Sequence, residues 1–116
     1  MKGIYIINER LCINNLSKEE SFKIQEQSII NYIQEKNIQI MKLNPNQLHD
    51  FYTIPHALLY DLKQNKNQID CLLMHSIEVV EDFIYTYPAR WLILKSFFVD
   101  IIVVDEASKQ KLQSVI

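Results

Sequence analysis

The chain has 116 residues, of which 48% are hydrophobic, with five Phe, six Tyr and one Trp, so it has enough apolar surface for the core of one domain and does not read as disordered. Its net charge is −2 and its ten Lys are scattered singly, which excludes the basic stripe of a protein that grips nucleic acid on its own. Two distant cysteines, Cys12 and Cys71, an opening apolar run of only four residues and no span-length apolar segment point to a soluble, reduced, cytoplasmic protein with no leader.

Ile4–Ile7 (IYII) reads as a first strand that stops at Asn8, Glu9 and Arg10. A long helix follows from Ser17 to Asn37. Ser17 and Glu20 form a capping box, Glu19 and Glu20 favour the N-terminal end of its dipole, and Lys36 favours the other end. Phe22, Ile29, Ile30 and Ile33 recur at helical spacing and mark the core face. Ile38–Leu43 reads as a second strand, and Asn44, Pro45 and Asn46 as a turn. A second helix runs from about Thr53 to Lys63, with Pro55 in its first turn and Asn65, Lys66 and Asn67 ending it.

Ile69–His75 is a nearly continuous apolar run, as expected of a parallel strand covered on both faces. Glu78–Phe98 is helical by pattern, and Pro88 demands a kink or a restart within it. Val99–Val104 is the fourth strand, and Ser108–Ile116 has room for barely two helical turns. The alternation predicts an α/β fold, a mostly parallel sheet of four to five strands flanked by helices, flavodoxin-like or a close variant.

In such sheets ligands bind beyond the carboxyl ends of the strands. The residues expected there are Asn8, Glu9 and Arg10; Asn44 to Gln47; His75, Ser76 and Glu78; and Asp105 and Glu106. A phosphate cradle needs glycines, and the one glycine, Gly3, precedes the first strand. A receiver-type phosphoacceptor site needs clustered carboxylates, and Glu9 stands alone after that strand. Cys12, Cys71, His49, His56 and His75 are metal-ligand types without ligand spacing, and Cys71 reads as a core thiol, so no metal or cofactor is expected. His75 and Ser76 are adjacent and lack a third group that would make a nucleophile–base pair. Tyr52, Tyr60, Tyr85, Tyr87 and Trp91 read as packing residues before a base-stacking platform.

The order and spacing from residue 3 to about 106 resemble the N-terminal catalytic domain of serine recombinases, the resolvase/invertase group. Tyr5 falls on the Tyr of that family's Tyr-x-Arg-x-Ser strand. Ser21 to Gln25 follows its helix pattern, with Gln25 on the family's Gln, and Asp70 falls on the Asp of its third strand. On this alignment Ile7 replaces an arginine and Glu9 the serine nucleophile. The Asp-Arg-Leu-Ser-Arg motif becomes Glu78, Val79, Val80, Glu81 and Asp82. The Gly-rich segment before the second helix has no counterpart in Leu43 to His56, and only Arg10 and Arg90 remain in the whole chain.

The resemblance therefore implies a vacated active site at Tyr5, Ile7, Glu9, Gln25, Glu78, Val79 and Asp82, because phosphoryl transfer rests on positioned cations that Ile, Val and Asp do not supply. The long helix and DNA-binding domain that follow in the family correspond here only to Lys109–Ile116. The expectation is a catalytically inactive resolvase-like domain that binds a protein partner. Arg10, Tyr85, Tyr87 and Trp91 are the candidate contact surface, and a homodimer is open. Two alternatives stand beside it: an accessory subunit of a recombination or mobile-element system, and a small flavodoxin-like domain with an unrecognised ligand.

Overall fold

The computed structural model describes residues 1–65 and 68–105. Within them the chain forms β1 (Lys2–Tyr5), α1 (Lys18–Lys36), β2 (Gln39–Ile40), α2 (Pro55–Asn65), β3 (Ile69–Met74), α3 (Glu81–Thr86), α4 (Pro88–Ser96) and β4 (Phe98–Val103). The four strands are all parallel in the order β2-β1-β3-β4, an α/β sheet flanked by helices. The chain steps from β1 one way to β2, then back across β1 to β3 and β4. Right-handed crossovers then place α1 on one face and α2, α3 and α4 on the other.

Burial follows that division. On the α2–α4 face Ile4, Ile6, Leu58, Leu62, Leu72, Met74, Ile77 and Leu94 join one large apolar core. On the α1 face Tyr5, Ile7, Ile29, Ile38, Cys71 and Leu73 form a smaller one. Successive strand residues alternate between the two, as a pleated sheet covered on both sides requires. Gly3 lies inside β1 and does not precede it. A Cβ there would sit 2.8 Å from Cys71 Sγ and 3.0 Å from a methyl of Ile38, so close approach of neighbouring side chains accounts for the chain's one glycine.

The long helix forms as its sequence dictates. Ser17 Oγ accepts the Glu20 amide at 3.1 Å and donates to the Glu20 carboxylate. Asn37 ends the helix in the left-handed region, at φ 57°, donating its N–H to Ile33. Its core row, however, is Ser21, Gln25 and Ile29, while Phe22 and Ile33 pack at the flank and Ile30 is half-buried. The predicted second strand shrinks to two residues: Met41 still donates its N–H to Gly3 O at 2.8 Å, and after it the chain leaves the sheet edge for the loop that carries Phe51 and Tyr52 back to β1.

Pro88 restarts a helix at its first position, so the predicted long helix is two, α3 and α4, preceded by a 3-10 turn at Ile77–Val79. Among the described residues β4 is an outer strand, and it carries Asp100, whose carboxylate accepts the N–H of Ile101 at 2.9 Å; a charged side chain on an edge strand discourages pairing with another chain. Among the described residues no helix is long and apolar enough to cross a membrane. The predicted stop at Lys66 and Asn67, and the residues from Glu106 to Ile116, lie outside the described residues.

Candidate functional site

The strand order reverses between β1 and β3, and the carboxyl ends of these two strands flank the crevice where α/β sheets take ligands. β1 is extended past Tyr5 by pairing with the loop after β2. Ile7 donates its N–H to Tyr52 O at 2.8 Å, and Tyr52 donates to Tyr5 O at 3.0 Å. Tyr52 is anchored in turn by a 2.6 Å hydrogen bond from its hydroxyl to Asp61. Burial first, then that bond and the Asp61 charge, hold its phenol well above the ordinary tyrosine range.

At Asn8 the chain turns, and every polar atom of this residue is used. Its N–H donates to Gln25 Oε1 and its carbonyl accepts from Gln25 Nε2, both at 2.9 Å. Its side-chain amide donates to Val79 O at 3.1 Å, and its side-chain oxygen accepts the Arg10 N–H at 2.9 Å. One buried glutamine on α1 thus clamps the backbone of the β1 loop. Asn8 ties that loop to the segment after β3. Glu9 and Arg10 project, exposed, from a turn held at both ends. Ser21 secures the next stretch by accepting the Ile13 N–H at 2.8 Å.

Beyond this turn lies a cleft of about 520 Å³, lined by Asn8, Glu9 and Arg10, by Thr53 to His56 at the start of α2, and by Val79, Asp82, Phe83, Thr86 and Tyr87. One wall is aromatic. His56 packs edge-on against Phe83 and Tyr87 with ring centroids 5.0 and 4.6 Å away. The Arg90 guanidinium contacts His56 Nδ1 at 3.0 Å and lies over the Tyr87 ring, 5.3 Å from its centroid. Since arginine only donates, His56 Nδ1 accepts and the ring's other nitrogen carries the proton.

The sequence-predicted residues do not all come together. Glu9, Arg10, Val79, Asp82 and Tyr87 meet in the cleft. Tyr5 and Ile7 lie buried on the α1 face of the sheet, where burial first, then Asp50 and Glu26, raise the Tyr5 phenol. Gln25 is the clamp just described, and Glu78 stands exposed on the 3-10 turn. Tyr85 and Tyr87 are exposed at 67% and 41%, and of the two only Tyr87 lines the cleft.

Trp91 is not part of that surface. It is 2% exposed and packs in the large core, because it belongs to α4, whose inward row is Trp91 and Leu94. Its indole N–H has no partner among the described residues.

His75 acquires a third group that its sequence neighbours did not reveal. Ser28 Oγ from α1 lies 2.9 Å from His75 Nδ1 and 3.0 Å from Gln25 O. The hydroxyl proton goes to the carbonyl and the imidazole N–H to the hydroxyl, an arrangement that orients His75 rather than activating Ser28. Cys71 lies sealed in β3, and burial, then the charges of Asp70 and Asp100, push its thiol up to about 11. Among the described residues no group of three His, Cys, Asp or Glu side chains is placed to hold a metal.

Sequence reasoning missed Asn8 as the organising residue. An Asn directly after a buried strand is the signature of a side chain that caps its own turn, and that signal was legible. The contribution of α2 to the cleft was not, because nothing local ties Thr53 to His56 to the tip of β1. No family model, no curated protein and no solved structure matches this chain.

Proposed function

We propose that this chain is a non-catalytic, resolvase-like binding module whose contact surface for a partner protein is the cleft at the tips of β1 and β3. The observation that carries the reading is the chemistry of the turn held by Asn8. The position from which a recombinase presents its nucleophile offers Glu9, the neighbouring arginine position is the buried Ile7, and Val79 and Asp82 stand across the cleft. Carboxylates there repel a phosphodiester and supply neither an attacking hydroxyl nor an anion clamp. A rigid turn, an apolar floor and an exposed Tyr87 suit recognition, because a loop already fixed by hydrogen bonds loses little entropy when a partner arrives.

Affinity capture of the tagged full chain from its host, with nuclease present, tests this. One dominant protein should be retained by the natural chain and lost with Ile54→Arg, a change at an exposed position on the cleft floor. Retention of the same proteins by both chains would place the contact elsewhere. Recovery only without nuclease would reopen nucleic-acid binding.

The volume of the cleft favours a second reading. At about 520 Å³ it falls within the range of small-molecule sites, so the chain is alternatively a ligand-binding α/β domain. Native mass spectrometry of protein purified from the host separates the two: a stoichiometric small molecule, displaced in the Ile54→Arg variant, favours the ligand.

A further inference from the structure

The floor and rim of the cleft differ in chemistry. Ile54, Pro55, Val79 and Phe83 make the floor apolar, and Ile54 leaves 56% of its surface in water. Glu9 and Asp82 stand exposed at the rim, and neither has an ion-pair partner among the described residues, where the charge pairs are Lys36 with Glu35 and Lys42 with Asp50. Arg90 keeps its charge, because His56 and Tyr87 are neutral partners, but it does not line the cleft, where Arg10 is the one cation among the described lining residues against the carboxylates of Glu9 and Asp82.

Covering the floor is favourable for any apolar side chain. The rim decides among candidates. An acidic segment meets repulsion. A neutral one desolvates two carboxylates without giving them a counter-charge. A cationic segment supplies charge-assisted hydrogen bonds to both carboxylates.

We propose that the cleft takes a basic, aliphatic segment of a partner protein, with a lysine or arginine beside Glu9 and Asp82 and a branched apolar side chain on Ile54, Val79 and Phe83. The inference rests on the reading of the cleft as a protein-contact surface and names the class of partner it selects.

The test uses the full chain and two fluorescein-labelled probes, the peptide Ala-Lys-Leu-Lys-Leu-Ala and its counterpart with Glu in place of Lys, followed by anisotropy and by amide chemical shifts. The Lys peptide should bind about tenfold or more tighter than the Glu peptide at low salt and weaken as salt rises. Its shifts should fall on Asn8 to Arg10, Ile54 to His56 and Asp82 to Tyr87. Glu9→Gln with Asp82→Asn should lower its affinity about tenfold, and Arg10→Ala should leave it unchanged or raise it. Equal binding of the two peptides, absence of Lys-peptide binding, or shifts outside the cleft would overturn the proposal. A captured partner that depends on Ile54 while the Lys peptide is ignored would leave the contact surface standing and remove only its basic preference. Lys-peptide binding in the cleft without any cleft-dependent partner would do the reverse.

Discussion

The two faces of the sheet are built on different principles. On the α2–α4 face, side chains such as Leu58, Leu62, Trp91 and Leu94 fill space, and the helices are held by apolar volume. On the α1 face the buried row of the helix is Ser21, Gln25 and Ile29, so two of its three positions are polar and both bond to the backbone that follows β1. Apolar packing is non-directional and tolerates small shifts, whereas a bidentate amide clamp fixes one peptide unit in place. One face therefore holds the fold together and the other positions the strand-tip loop. A mutation on each should show a different signature.

The largest effect is expected on the space-filling face. Leu62→Ala should lower global stability by about 3 kcal/mol, read in urea melts, because Leu62 is fully buried and its cavity cannot collapse between α2 and the sheet. Gln25→Ala should cost about 2 kcal/mol by leaving the Asn8 N–H and carbonyl unpaired. Its distinguishing mark is local: amide exchange should accelerate at Asn8 to Leu11 well before the strands open. A Gln25→Ala protein that melts as early as Leu62→Ala and exchanges uniformly would erase the contrast between the faces.

A subtler effect concerns the one thiol on the α1 face. The Cys71 thiol is raised in the folded chain to about 11, so the unfolded chain sheds this proton first. Its contribution is complete below about pH 9, the ordinary thiol value, and is lost as pH climbs toward about 11. Cys71→Ala should flatten the fall in stability between about pH 9 and about pH 10 by about 1 kcal/mol. An unchanged slope would mean that the thiol is open to water. A thiol reagent should correspondingly modify the exposed Cys12 quickly and Cys71 only after unfolding.

The smallest effect belongs to the cleft rim. Glu9→Ala and Asp82→Ala should each change stability by less than about 0.5 kcal/mol, since both are exposed and no ion pair among the described residues holds either. A large loss at either position would show that the rim is structural and would count against its role as a contact surface.

The sequence by itself determined the architecture and the local stops. Apolar runs at Ile4–Ile7 and Ile69–His75, the Ser17 cap, the Asn37 stop and the restart at Pro88 were readable because each depends on neighbours within a few residues. Tertiary structure alone decided the rest. It turned Trp91 inward, because a 9-residue helix shows its buried side only once it lies on the sheet. It cut β2 to two residues, because the pairing of Tyr52 with Ile6 draws the following loop back over β1. It joined Asn8 to Gln25 and to Val79, 17 and 71 residues away in sequence, and so made one cleft from three separate segments. Periodicity reports which side of an element is apolar. Which polar groups meet across the molecule is set by the crossovers of the chain, and on those meetings the candidate site depends.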